Sequence, residues 1–140
     1  MTFTASSTVT FPDLAKITAA YQQANARAVE QSTQIVFDHS QEIVPVDTGE
    51  LKESGHTEVE AAGTVATGSV VYDADHAAFV EFGTGQRGAA SPGAGPYPYD
   101  PNWPGMVAQP YIRPALDQSQ PEILEVFKEN YAAAGRLLKP

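Results

Sequence analysis

The chain has 140 residues, a length that suits one domain with a single hydrophobic core. Its formal charge is −9 with only eight Lys and Arg residues, which disfavours non-specific binding to nucleic-acid phosphates. The lack of cysteine excludes disulfides and thiolate chemistry, and with neither a signal-peptide pattern nor a membrane-length apolar run we expect a soluble protein made in the cytoplasm.

The chain begins with a segment at residues 1–12 that is rich in Thr and Ser. Its alternating apolar residues are too sparse to predict a strand, so we expect an arm that orders only against another surface. Residues 13–43 are predicted to form a long helix, because apolar residues recur at helical spacing: Leu14, Ile17, Tyr21, Ala24, Ala28 and Ile35. At roughly thirty residues the helix is about 45 Å long. Since this exceeds what the core of one domain needs, we expect part of it to lie against another subunit.

A turn at Asp47-Thr48-Gly49 follows the long helix. Asp47 and Thr48 can accept hydrogen bonds from nearby backbone N–H groups, and Gly49 permits a positive φ. Asp47 is interpreted as a turn and capping residue, because a catalytic aspartate would need a partner carboxylate.

Residues 51–72 are predicted to form an antiparallel hairpin, because apolar and polar side chains alternate on both sides of Gly63. Gly68 in the second strand favours a β-bulge. The predicted fold class is therefore α+β, with a long N-terminal helix packed on a small antiparallel sheet, a long Gly/Pro loop at 83–106 and a C-terminal helix at 114–138.

A cluster of ionisable residues, Asp73, Asp75 and His76, follows the hairpin. Its spacing matches no ligand geometry, because adjacent residues on a strand point apart. We interpret the two aspartates as turn residues before a short helix from His76 to Phe82. A metal-assisted hydrolase using this cluster with Glu81 is kept as the alternative function.

Glu81 and Arg113 are each surrounded by apolar residues, where an unpaired charge is costly. We therefore predict that they pair, which makes their two runs neighbours at the base of the 83–106 loop. The glycines of this loop lack the Lys and Ser/Thr of a phosphate-binding loop, so no nucleotide cofactor is expected. Its aromatic residues have the properties of interface anchors, although local packing explains them equally well: Tyr97, Tyr99 and Trp103.

Two further features are predicted near the end of the chain. Residues 107–112 have the composition of an edge strand, because Pro110 prevents full ladder pairing. Pro114 suits the first turn of the C-terminal helix, and Pro121 predicts a kink or break between Asp117 and Gln120.

Three ordered motifs resemble the tail-component family of long-tailed double-stranded-DNA bacteriophages, which are neck or tail-completion proteins. They are Val44-Pro45-Val46-Asp47-Thr48-Gly49-Glu50-Leu51, then Ala78-Phe79-Val80-Glu81-Phe82-Gly83-Thr84, then Gln109-Pro110-Tyr111-Ile112-Arg113-Pro114-Ala115-Leu116. The resemblance covers about residues 44–138. The chain departs from the pattern in the long loop at 86–106 and in Pro121.

The resemblance implies a structural virion protein without enzymatic activity, metal or cofactor. It further implies a homo-oligomeric ring at the head-proximal end of the tail, with six-fold symmetry favoured and twelve-fold symmetry as the alternative. The implied partners are other neck, connector or tail-tube proteins. Genomic DNA is expected to pass through the ring without sequence-specific binding, and no membrane contact is expected. A homodimeric binding module is a further alternative.

Overall fold

The computed structural model describes residues 13–139, so the predicted arm at 1–12 lies outside the described residues. The elements in chain order are α1 (Leu14–Ile43), α2 (Glu50–Glu53), β1 (Gly55–Ala62), β2 (Val65–Tyr72), α3 (Ala77–Phe82), α4 (Gly85–Ala89) and α5 (Ile112–Leu137). The predicted α+β class is confirmed, with long helices at both ends and one two-stranded antiparallel sheet between them.

The two long helices lie antiparallel against each other. Near one end the rings of Tyr21 and Tyr131 are 5.8 Å apart, and near the other His39 Nδ1 is 2.8 Å from Ser119 Oγ. Small residues make this close approach possible, since the buried positions of α1 include Ala24 and Ala28. Asp13 begins α1 as its N-cap, accepting a 2.9 Å hydrogen bond from the Ala15 N–H.

The hairpin is regular along its whole length, from the Gly55–Tyr72 pair to the Ala62–Val65 pair. The predicted bulge at Gly68 is wrong, because Gly68 stands directly opposite Val59 in an unbroken register. The glycine is instead explained by a close approach to α1, where an added Cβ would lie 1.8 Å from Thr33 Oγ1. The hairpin also begins later than predicted, since residues 50–53 form the single turn of α2.

The core lies beside the C-terminal end of α1. Val44, Leu51, Ala77 and Tyr111 form its buried cluster, with the half-buried Tyr72 packed against it. The Tyr72 and Tyr111 rings meet edge to face with centroids 4.9 Å apart, and the Tyr72 hydroxyl is 2.7 Å from Ser40 Oγ. These contacts join the hairpin, α1 and the start of α5 around one point.

Two predictions for the C-terminal region concern a strand and a helix break, and the structure shows neither. Residues 107–110 form no strand, because the N–H groups of Ala108 and Gln109 donate to Ser91 Oγ at 3.0 Å and to the Val80 carbonyl at 2.8 Å, neither of which belongs to a strand. Of the kink or break expected between Asp117 and Gln120, the break is absent, since α5 continues from Ile112 to Leu137 with Pro121 inside it. Pro121 and Asp117 are exposed, so water can satisfy the carbonyl group that proline leaves unpaired, while α1 packs along the opposite face.

The contact between Gly68 and α1 is testable by substitution. Gly68→Ala is expected to destabilise the protein by about 1–3 kcal/mol, because the buried Thr33 side chain must leave its position to avoid overlap. Chemical denaturation measures the change. Adding Thr33→Ala should restore part of the loss, whereas a double variant no more stable than Gly68→Ala alone would contradict this packing explanation.

Candidate functional site

Glu81 holds the start of α5 through its carboxylate. Oε2 accepts from the N–H groups of Tyr111 at 2.6 Å and Ile112 at 3.0 Å, and Oε1 accepts from the Arg113 N–H at 3.2 Å. These are donors that the first turn of a helix cannot satisfy internally. A carboxylate from α3 thus caps α5 across a separation of about thirty residues, where it also meets the positive end of the helix dipole.

Glu81 is nearly fully buried, with only 3% of its surface exposed. Burial alone would raise the pKa of its carboxyl, but hydrogen bonds from the N–H groups of Ile112 and Tyr111 and from the Arg113 side chain outweigh it and hold the pKa below its usual range. The carboxylate therefore remains ionised at neutral pH and is committed to structural partners.

The predicted pairing of Glu81 with Arg113 is confirmed, with Arg113 Nε 2.9 Å from Glu81 Oε1. The guanidinium group makes three further contacts: Nη2 donates to the Glu81 carbonyl at 3.3 Å, Nη1 donates to the Gly93 carbonyl, and Cζ lies 4.7 Å from the centroid of the Phe82 ring. Arg113 therefore ties α3 and α5 to the middle of the 83–106 segment.

The 83–106 segment is more ordered than the predicted extended loop. It contains α4, and its two ends are closed by a backbone bridge in which Thr84 and Met106 exchange hydrogen bonds of 2.9 and 3.0 Å. Gly83 has a φ of 73°, and a Cβ there would lie 2.7 Å from the Met106 carbonyl oxygen. The Phe82-Gly83-Thr84 motif therefore brings the two ends of the segment into direct contact, and Pro110 and Pro114 flank the capped turn beyond it.

The three predicted interface aromatics separate into two groups. Tyr99 is half-buried and packs locally, because its hydroxyl donates to the Phe82 carbonyl at 3.0 Å and accepts from the Gly95 N–H at 2.8 Å. Tyr97 and Trp103 remain 48% and 53% exposed. With Phe79, which is 57% exposed, they line a depression of about 350 Å³.

We call Phe79, Tyr97 and Trp103 the aromatic patch. Phe79 was not among the predicted interface residues, although its spacing in α3 indicates that it is exposed. Because Ala77 and Glu81 are one helical turn apart and buried, a residue midway between them faces the opposite side.

The Asp47-Thr48-Gly49 segment forms a bend before α2. Thr48 Oγ1 accepts from the Glu50 N–H at 3.4 Å, and Gly49 has a φ of 94°, as the sequence predicted. The Asp47 carboxylate accepts no hydrogen bond from residues 13–139 and is exposed, so the bend depends on its two following residues.

The residues of the alternative hydrolytic site do not converge. Asp73 lies 3.4 Å from His56 Nδ1, whereas Glu81 is enclosed by the start of α5. The Ser54 carbonyl, Glu58 and Asp73 raise the pKa of His56. Within the described part of the chain, no three His, Asp or Glu residues are grouped so as to hold a metal ion.

The fold and this site define a small α+β protein that presents an apolar surface on a fixed segment, and the comparisons with known proteins specify its family. The profile described as "Bacteriophage HK97-gp10, putative tail-component" matches residues 12–83, which is half of the chain. The chain belongs to this family of phage tail components. No curated protein and no solved structure matches, and among residues 13–139 no helix is long and apolar enough to cross a membrane.

The role of the Glu81 carboxylate leads to a pH-dependent prediction. Glu81→Gln is expected to lower the free energy of unfolding at pH 7 by about 3 kcal/mol, because an amide NH₂ replaces one acceptor among buried donors. Since the folded-state pKa is depressed, the stabilisation is present above the ordinary glutamate pKa and is lost as the pH falls through the folded value. The difference between the two proteins should therefore shrink in acid.

Denaturant titrations at neutral and acidic pH measure this difference. Glu125→Gln is the matched control, because Glu125 is exposed and within residues 13–139 pairs only with Lys128, at 2.8 Å; its loss should be about 0.5 kcal/mol or less. Equal losses in the two variants, or a Glu81→Gln loss unchanged by pH, would show that the carboxylate does not hold the start of α5.

Proposed function

We propose that this chain is a structural protein of the phage neck, forming a homo-oligomeric ring at the head–tail junction through which DNA passes. Within the neck it acts in tail completion or as a terminator or connector. Membership of a phage tail-component family supports a structural role in the virion. The observation that carries the proposal furthest is the aromatic patch, in which Phe79 of α3 stands beside two residues of the 83–106 segment, whose two ends are fixed to each other.

The aromatic patch has the properties of a docking surface. Large aromatic side chains dominate the energetics of interfaces, and three of them here are about half exposed around one depression. The supporting segment is closed by the Thr84–Met106 bridge and tied down by Arg113. A surface ordered before binding loses less conformational entropy when a partner arrives, so more of its contact energy appears as affinity.

The proposed partners are a second copy of the chain and the neighbouring neck, connector or tail-tube proteins. A ring uses a head-to-tail interface, in which the aromatic patch of one copy meets a different surface of the next. Six-fold symmetry is favoured and twelve-fold symmetry is the alternative. Assembly takes place after synthesis in the host cytoplasm, and the finished protein resides in the virion.

The net charge of −9 agrees with a channel through which DNA moves without being held. Because duplex DNA is densely charged, an acidic wall repels it and gives no counter-ion release to drive binding. The proposed work is done by surfaces, and we assign the chain no catalytic residue, cofactor or metal.

The position in the virion can be tested directly by electron microscopy of phage particles carrying a tagged chain. Density or label at the junction of head and tail, in a closed ring, is the expected result. Label at the distal end of the tail, or absence of the chain from intact virions, would overturn the proposed location. A solution species that remains a dimer and never enters particles would favour the homodimeric module.

The docking role of the aromatic patch predicts a separation of stability from assembly. Trp103→Ser should change the free energy of unfolding by about 1 kcal/mol or less, because the indole is 53% exposed. It should weaken assembly about thirtyfold, the effect of losing an interface anchor worth about 2 kcal/mol. Sedimentation of the purified chain and electron-microscope counts of completed particles measure assembly.

Leu124→Ser is the control, since Leu124 is 55% exposed on α5 and lies outside the aromatic patch. It removes a comparable exposed apolar side chain and should leave assembly unchanged. Equal assembly by the Trp103→Ser variant and the wild-type protein, or equal losses in both variants, would contradict a specific role for the patch.

A further inference from the structure

The charge of this chain is divided unevenly between the two ends of the helix pair. We call residues 13–28 and 129–139, at the start of α1 and the end of α5, the basic end. The two helices lie side by side there, since a Cβ on Gly135 would be 3.6 Å from the Tyr21 hydroxyl. Its basic residues are Lys16, Arg27, Arg136 and Lys139, and its acidic residues are Asp13 and Glu129. Because the whole chain has 8 Lys and Arg and 17 Asp and Glu, the remainder is strongly acidic.

The cations of the basic end have no ionic partner among residues 13–139. None of the ion pairs in this part of the chain includes them, and all four are exposed. Leu14 and Leu137 accompany them and are 75% and 79% exposed. A cation at Arg136 suits the C-terminal end of the α5 dipole, but the dipole explains neither Lys16 at the start of α1 nor the leucines. The basic end therefore combines exposed apolar surface with uncompensated positive charge.

The aromatic patch lies at the opposite end of the helix pair. Phe79 belongs to α3, and Ala77 of the same helix packs in the core with Val44, the C-cap of α1. From Lys16 to Val44 the chain rises about 42 Å at the helical rise of 1.5 Å per residue. The basic end and the aromatic patch of one copy therefore cannot meet, and a contact between these surfaces joins two copies.

The depression at the aromatic patch suits a cation. Among the described residues that line it, Asp100 is the one that carries a charge. Its Oδ1 accepts from the Asn102 N–H at 2.8 Å, and no cation within residues 13–139 forms an ion pair with it. Tyr and Trp rings attract cations through their negative faces, and in the same region the Phe82 ring already holds the Arg113 guanidinium group at 4.7 Å. A Lys or Arg side chain entering the depression meets both aromatic rings and a carboxylate.

We propose that the basic end of one copy docks head to tail on the aromatic patch of the next. Leu14 and Leu137 pack against the exposed rings, and the Lys and Arg side chains around them pair with Asp100. Because the two surfaces differ, the contact is heterologous and repeats from copy to copy, as a ring requires. This inference rests on the proposed docking role of the aromatic patch and names the surface that the patch meets.

An exchange of charges between the two surfaces tests this pairing in the full-length chain. Asp100→Lys places a cation at the patch, and Lys16→Glu with Arg136→Glu reverses the basic end. Each variant should associate with itself about tenfold more weakly or worse at low salt, because like charges then face each other. All three changes in one chain restore opposite charges and should recover most of the association. An equimolar mixture of the two variants should also associate. Sedimentation velocity measures all of these species.

Lys52→Glu with Lys128→Glu is the matched control for the reversed basic end. It changes the net charge by the same amount, and both residues are exposed and lie outside the two surfaces. Its association should stay close to that of the wild-type protein. Thermal unfolding checks that each variant folds. Glu in the first turn of α1 suits the helix dipole and Glu in the last turn of α5 opposes it, so the paired reversal should leave the midpoint nearly unchanged.

Three results would overturn the inference: a wild-type chain that stays monomeric at about 1 mM and low salt, equal association by the reversed variant and its control, or no recovery when the charges are exchanged. These results differ from a failure of the docking role. If Trp103→Ser weakens association and reversal of the basic end does not, the patch meets another surface and the proposed function stands. Recovery by charge exchange supports the head-to-tail pairing wherever in the virion the chain is located.

Discussion

The arrangement of this fold depends on one buried carboxylate. Removing Glu81 from water costs several kcal/mol, and this cost is offset only because three backbone N–H groups and a guanidinium group surround the ion. Those donors all belong to residues 111–113, so the carboxylate fixes where α5 begins. It also fixes the loop segment, because the same guanidinium group reaches Gly93. One contact therefore joins α3, the start of α5 and the 83–106 segment.

Sequence reasoning could identify the two members of this contact but not its principal chemistry. Glu81 and Arg113 were recognisable because each is a charge among apolar residues. Most of the hydrogen bonds to Glu81 come from backbone amides, which every residue except proline possesses and which therefore leave no sequence signal. The same reason explains the incorrect strand at 107–112, where composition favoured β structure while the Glu81 carboxylate was available as a helix cap.

The elements predicted from strong periodicity were accurate. The errors lie where tertiary contacts determine the local conformation. α1 and the hairpin follow their patterns, but Gly68 was assigned a bulge because its real partner, Thr33, is 35 positions away in sequence. Pro121 was expected to kink or break α5, yet the helix continues through it. Its other face packs against α1, and the carbonyl group that the proline leaves unpaired is exposed to water. Likewise the sequence could not distinguish Tyr99, which is held by two hydrogen bonds, from the exposed Tyr97 and Trp103.

An apolar trough lined by α1, β2 and α5 is physically connected to the buried carboxylate through Ile112. Its amide donates to Glu81 at 3.0 Å, and its side chain lines the trough that α1, β2 and α5 form. Anything that fills the trough therefore packs against the residue on which the cap of α5 depends. Ile112 therefore serves two parts of the fold at once, its backbone in the cap of α5 and its side chain in the wall of the trough.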